Sequence, residues 1–422
     1  MSERNPCDVL IIGAGPAGLA AAYRVWQSDR EATVVDDNPD AGGQIWRGER
    51  TNPTTPEAAQ WFEKVRNAKI HLVPGARVYQ EPEPGVLLAE VGRDVCEFRY
   101  RKLIIATGAR ERFLPFPGWT LPNVTGAGGL QALVKTGAPI EGKRVVVAGS
   151  GPLLLAVADY LQAKGAKVVL IAEQASKASL AHFGVKLLGQ QSKLAAALTL
   201  RRKLSGIRYL HGCWPIAARG DNQLRSVTLR QGRRTWDLDC DYLACGFHLV
   251  PNLELADLLN CEIKDGQVIV DDLQQTSVAN VFAAGEVTGI GGLDLSLVEG
   301  EIAGLASCDQ SDAARNLFSF RSKQRKFAKA LNEAFRLRLE LKELADAQTI
   351  VCRCEDVTFE HLQECDSWRA AKLHTRCGMG PCQGRICGAA VEFLFGWKAE
   401  SVRPPIFPVR VESMKTEISP QG

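Results

Sequence analysis

Long apolar stretches are missing from this 422-residue sequence: runs such as 145–148 and 168–172 are strand-sized, far short of the roughly 20 residues a helix needs to cross a bilayer. No transmembrane segment is therefore expected. Net charge is nearly absent too, since 51 Lys plus Arg against 48 Asp plus Glu leave +3, too little to argue for nucleic acid or a membrane surface as partner. Residues 1–7 carry neither a basic n-region nor a small-residue cleavage site, so the expected location is cytoplasmic. Residues 1–350 contain no Cys-x-x-Cys, which excludes a redox-active dithiol of that spacing. His182 and His248 stand alone, without an acid at a spacing that suggests a general base. With 45% hydrophobic and 23% charged residues, the chain can bury a sizeable core and is expected to form two or three domains.

What the chain does have is cysteine. Seven of its thirteen are scattered singly from Cys7 to Cys308 and read as small buried apolar residues, while six crowd between Cys352 and Cys387. In a cytoplasmic setting disulfides seldom persist, so the crowd points to metal or redox chemistry. Strand-like runs alternate with helical periodicity to about residue 300, the pattern of an α/β fold with doubly wound parallel sheets. From 311 to 347 glycine vanishes and charge rises, with Phe320, Phe327, Leu331, Ala334 and Phe335 at helical spacing. This predicts an amphipathic helical linker whose basic stretch, Arg321 to Lys329, is a solvated face. The expected organisation is a dinucleotide-binding domain from 1–125 plus 278–312, a second nucleotide-type domain at 126–277, the linker at 313–348, a cysteine module at 349–400 and an extended, Pro-rich tail at 401–422.

The run Val9 to Ile12 leads into Gly13-Ala-Gly15-Pro-Ala-Gly18 and then a helix of small residues. Gly13 permits a tight turn, Gly15 lets backbone approach a pyrophosphate at the helix N-terminus, and Gly18 allows close helix–strand packing. A second strand ends in Asp36, eighteen residues after Gly18, where a carboxylate would accept a ribose hydroxyl. Two later segments favour FAD over NAD. Ala106-Thr107-Gly108 resembles a strand end of FAD-dependent pyridine-nucleotide oxidoreductases, and Val278 to Thr288, with Gly285-Glu286, resembles their ribityl-binding strand, where Gly-Asp is usual.

The strand and turn recur at Gly149-Ser-Gly151-Pro-Leu-Leu154, with Glu173 at the ribose-binding distance. Leu154 stands where the third glycine belongs, and its bulk should push the helix from the strand. Gly149, Gly151 and Glu173 are thus candidates for a second nucleotide, NAD(P) or another adenine nucleotide, on a defective fingerprint.

In the cysteine module, Cys352-Arg-Cys354 and Cys377-Gly-Met-Gly380-Pro-Cys382-Gln-Gly384-Arg-Ile-Cys387 supply thiolates for either a [2Fe–2S] cluster or structural zinc. The segment resembles the bacterioferritin-associated-ferredoxin-like [2Fe–2S] domain. That resemblance selects Cys352, Cys354, Cys382 and Cys387 as ligands, and leaves out Cys365 and also Cys377, where relatives carry a small apolar residue.

Together with Gly42-Gly-Gln-Ile-Trp-Arg47, Pro115-Phe-Pro-Gly118 and Ala284 to Gly292, these motifs make nearly the whole chain similar to the larger flavoprotein subunit of bacterial heteromeric amine dehydrogenases. Members of that group oxidise hydroxyproline, proline or opines, and one relative forms cyanide from glycine. The resemblance implies FAD contacts at Gly13, Gly15, Pro16, Ala17, Gly18, Asp36, Asp37, Gly43, Gln44, Ala106, Thr107, Gly108, Gly285 and Glu286. It implies an electron-transfer role, with a D-amino-acid-oxidase-type flavoprotein as catalytic partner and a further partner in a small ferredoxin-like subunit. Membrane association is implied only at the periphery, through an electron acceptor. No catalytic residue is assigned. The alternative reading is a stand-alone NAD(P)H-dependent ferredoxin-type reductase, using nicotinamide beside Gly151 and Glu173.

Overall fold

Apolar runs that do not alternate with polar residues must be covered on both faces, and the computed structural model places them in parallel strands flanked by helices. It describes residues 6–187, 190–398 and 402–414. The chain forms two compact units, one of Met1–Arg110, Pro251–Ala328 and Ser401–Gly422, the other of Glu111–Val250 and Lys329–Glu400.

In the first unit the strand Cys7–Ile12 runs parallel between Ala32–Asp36 and the second half of Asp94–Ile105, with Ile70–Pro74 and Val281–Ala283 outside them. The first half of Asp94–Ile105 pairs instead in an antiparallel meander with Val86–Val91 and Ala76–Glu83. Helix Pro16–Gln27 packs on helix Leu293–Ser307 by backbone approach: a Cβ at Gly300 would stand 2.1 Å from the Ala17 carbonyl oxygen, and one at Gly304 2.5 Å from that of Ala21. The stretch expected to be an extended tail is anchored on the meander. Ile406 N–H donates to the Tyr79 carbonyl (2.9 Å), the Tyr79 hydroxyl donates to the Ser413 carbonyl (3.1 Å), Arg410 pairs with Glu90 (3.3 Å), and Val411–Met414 is a short helix.

The linker contains helix Phe318–Ala334 and a 3₁₀ turn, Leu339–Glu343. Its inward face is only partly the one expected: Ala334 and Phe335 are buried with Leu331 beside them, but Phe320 is 48% exposed, whereas Arg321 is 4% exposed. Arg321 donates to Asp272 Oδ1 (2.8 Å) and Arg325 to Glu299 (3.0 Å), so part of the basic stretch serves as internal counter-charge rather than a solvated face.

The second unit holds five parallel strands in the order Tyr209–His211, Lys167–Glu173, Arg144–Ser150, Tyr242–Phe247, Val124–Gly126, and a separate antiparallel sheet of Cys213–Arg219, Ser226–Gln231 and Arg234–Asp239. Helix Leu153–Ala163 keeps its seat beside Arg144–Ser150 despite Leu154, which is buried. The Leu154 side chain joins a buried core with Val145, Val147, Leu161 and Ala244. The cysteine module pairs Ile350–Cys352 with Val357–Thr358 and continues in helices Phe359–Gln363, Trp368–Thr375 and Cys387–Phe395. Among the described residues, no helix is long and apolar enough to cross a membrane.

Candidate cofactor sites

Gly13 leaves the first strand at φ 112°, and a Cβ on it would lie 2.2 Å from the Ala106 carbonyl oxygen. A Cβ at Gly18 would lie 1.8 Å from the Gly13 carbonyl oxygen, so the helix can start against the strand only because no side chain intervenes. Gly15 caps that helix without a side chain, Pro16 and Ala17 begin it, and Gly43, at φ 60°, faces Gly15 closely enough that a Cβ would stand 2.9 Å from the Gly15 α-carbon. The result is a cradle of bare backbone at a helix N-terminus, where an anion is favoured. Asp36 is buried and oriented: Oδ2 accepts from Ala14 N–H (2.6 Å), and Oδ1 from Asn38 N–H (2.7 Å) and Nδ2 (2.8 Å). Arg47 donates to Asn38 Oδ1 (2.7 Å) and Gln44 Oε1 (3.1 Å), while its buried Nε has no acceptor. Asp37 is exposed, 4.0 Å from the Arg77 Nε.

Ala106–Gly108 is held by a residue that carries no sequence signature. Thr107 Oγ1 donates to the Asn252 carbonyl (2.8 Å), Asn252 Nδ2 donates to the Thr107 carbonyl (2.8 Å), and Asn252 N–H donates to that of Gly108 (3.0 Å). Gly285, at φ 80°, approaches the start of the first helix, where a Cβ would meet Ala17 Cβ at 2.8 Å. Glu286 Oε1 accepts from Gly292 N–H (2.7 Å), and its buried Oε2 has no partner. Burial pushes this carboxyl up to about 7, against backbone hydrogen bonds from Gly292 and Gly291 that lower it. Beneath the turn, Glu299 accepts from Gly285 N–H (3.3 Å), Thr288 Oγ1 (2.8 Å) and Arg325 (3.0 Å). Burial also raises the Glu299 carboxyl, with Arg325 opposing. The bare cradle, the oriented Asp36 and the orphaned Glu286 oxygen fit FAD, which offers a diphosphate to the first, a ribose hydroxyl to the second and ribityl hydroxyls to the third.

The second turn differs. Gly149 sits at φ 133° and Glu173 is held much as Asp36 is, Oε2 by Gly151 N–H (2.8 Å) and Oε1 by Ala175 N–H (2.8 Å), with burial pushing its carboxyl up to about 7, but the surrounding side chains are engaged differently. The buried Gln174 donates to Ser150 Oγ (2.8 Å) and to the Arg336 carbonyl (3.2 Å), while Ser150 donates to the Phe335 carbonyl (3.0 Å). Arg338 N–H returns a bond to Gln174 Oε1 (3.3 Å). Polar side chains of the turn are thus satisfied by residues 335–338 of the linker.

In the module, Cys352, Cys377 and Cys387 are buried with their sulfurs within 4.8 Å of one another. The Cys377 and Cys387 thiols donate to Cys352 and hold it down to about 2, helped by Gly378 N–H (3.5 Å), and the same contact pushes Cys377 up to about 12 and raises Cys387. Cys354, which is exposed, lies against the thiol and backbone N–H of Cys382. A Cβ at Gly380 would stand 2.3 Å from the Cys354 Cβ, so glycine is what lets the two segments meet. Cys365 stands apart, bonded to the His361 carbonyl (3.6 Å). Two of the four cysteines selected by resemblance, Cys352 and Cys387, thus stand together with a further thiol, Cys377, which the resemblance leaves out, while Cys354 and Cys382 lie against each other. The buried trio with the Cys354 and Cys382 pair makes an all-thiol donor set, which suits a soft metal and fits an iron–sulfur cluster.

Residues 7–307 match the family described as pyridine nucleotide-disulphide oxidoreductase. The chain is 30% identical to hydrogen cyanide synthase subunit HcnB of Pseudomonas aeruginosa, covering 90% of each chain. It is 28% identical to an opine oxidase subunit of Agrobacterium tumefaciens, covering 96% of this chain and 91% of the relative. Among solved structures, L-proline dehydrogenase from P. horikoshii shares the fold with a TM-score of 0.67 at 18% identity, over 98% of this chain and 80% of that one.

Proposed function

Because the chain belongs to the pyridine nucleotide-disulphide oxidoreductase family, we propose that it is the FAD- and iron–sulfur-containing electron-transfer subunit of a multisubunit amino- or imino-acid dehydrogenase, of hydroxyproline, proline or opine type. The observation that carries this reading is the presence on one chain of a dinucleotide cradle with an orphaned Glu286 oxygen and a buried thiol cluster. Bound FAD would exchange two electrons and release them singly, and a cluster would carry one, which couples hydride chemistry to single-electron transfer. The chain's own residues hold and shape these sites. Asp36 and Gly15 receive the adenosine and diphosphate, Glu299 with Arg325 fixes the turn that presents Glu286, and Cys352, Cys354, Cys382 and Cys387 supply thiolates.

A D-amino-acid-oxidase-type flavoprotein would perform the amine oxidation, with a further partner in a small ferredoxin-like subunit and an electron acceptor at the inner membrane. The stand-alone reductase reading is disfavoured by the second turn, where Ser150 and Gln174 are engaged by linker carbonyls. We read residues 126–277 as retained for assembly, closed to NAD(P)H. The test is dye reduction with hydroxyproline, proline and opines, by the chain alone and co-expressed with the partner. Activity should require both. Turnover by the isolated chain, or rapid flavin reduction by NADH, would overturn the reading.

A further inference from the structure

We propose that Cys377 is a reserve ligand of the iron–sulfur site, able to replace Cys352 or Cys387 but neither Cys354 nor Cys382. The inference rests on the cluster reading above and follows from how five thiols divide among four places. Cys352, Cys377 and Cys387 form one set, mutually within 4.8 Å, and Cys354 with Cys382 forms another at an exposed edge. A [2Fe–2S] cluster takes four thiolates, two on each iron. One iron then draws on the pair, and the other has three thiols for two positions.

Packing alone does not account for Cys377. It shares a small core with Val351, Val357, Leu362, Ala371 and Val391, where an alanine or valine at 377 would serve, yet its sulfur lies within 4.8 Å of those of Cys352 and Cys387. The backbone on either side is fixed. Cys377 N–H donates to Thr375 Oγ1 (3.2 Å), Gly378 N–H donates to the Cys352 sulfur (3.5 Å), and a Cβ on Gly378, at φ 78°, would strike the Trp368 ring at 2.7 Å. The thiol is therefore presented to the site without rearrangement of the loop. In an exchange, the Cys377 sulfur forms a bond to iron and releases its proton to solvent, while the departing cysteine sulfur breaks its bond and takes one up. Charge and iron oxidation states are unchanged.

The test is iron and acid-labile sulfide per bound FAD in the full chain, purified anaerobically, with circular dichroism of the cluster bands. Cys377→Ser should keep the cluster. Cys352→Ser and Cys387→Ser should retain on the order of half the iron with altered dichroism, falling below about a tenth when Cys377→Ser is added, because the fourth thiolate is then gone. Cys354→Ser and Cys382→Ser should lose iron whether or not Cys377 is present. Where a serine variant fails to fold, alanine at the same position repeats the comparison. Single variants at 352 and 387 as iron-poor as their doubles would overturn the proposal, and so would equal retention at all four positions. Zinc without iron in the unmutated chain would overturn the cluster reading itself, and the inference with it.

Discussion

Neutralising Glu286 probes the flavin turn. This carboxyl is buried, with Oε1 bonded to Gly292 N–H (2.7 Å) and Oε2 without a protein partner. Burial lifts it from its ordinary 4.5 to about 7. Each tenfold in proton affinity is about 1.36 kcal/mol, so the lift corresponds to roughly 3 kcal/mol. The direction follows from which state holds the proton. Between 4.5 and about 7 the unfolded chain has released a proton that the folded chain still binds, so stability falls as pH rises through that window and levels off above it. Glu286→Gln has no such titration. Urea unfolding of FAD-stripped protein should find the variant about 3 kcal/mol more stable relative to the parent at pH 8 than at pH 4. With flavin present the sign reverses, because a charge-assisted bond worth about 1.5–3 kcal/mol is weakened, and FAD should bind roughly ten- to a hundredfold more loosely. Parallel pH profiles for parent and variant, or unchanged FAD affinity, would refute this account of Glu286.

Gly18→Val should yield flavin-free protein, because a Cβ at 1.8 Å from the Gly13 carbonyl forces the helix off the strand; absorbance at 450 nm per chain reads it. Arg325→Leu leaves the buried Glu299 without its cation and should cost about 3 kcal/mol in urea unfolding, with weaker FAD retention. Stopped-flow mixing with NADH or NADPH should reduce the flavin far more slowly than about 1 s⁻¹, since linker carbonyls engage the second turn.

The flavin cradle was legible in the sequence because its demands are local: glycine is required where Gly13 and Gly18 meet backbone, and an acid where the second strand ends at Asp36. Leu154 misled in one respect. It is buried in a core that includes Ala244, 90 positions away, a long-range packing that the glycine fingerprint alone does not announce. Other features were hidden because they are long-range or backbone-mediated. Glu299 and Arg325 are 26 positions apart and resemble ordinary helix charges, and the closure of the second turn uses the carbonyls of Phe335 and Arg336, which any residue could supply. Cys377 was visible as a fifth cysteine, but only geometry puts its sulfur within 4.8 Å of two others.

The central claim, that this chain relays electrons for a catalytic partner, is tested most directly by anaerobic single turnover of the assembled complex, with flavin absorbance and cluster electron paramagnetic resonance followed after mixing with hydroxyproline, proline or an opine. The account predicts that the flavin and then the cluster of this chain are reduced only when the catalytic partner is present. Reduction at the same rate by the chain alone, or a complex that turns over while this chain's flavin and cluster stay oxidised, would contradict it.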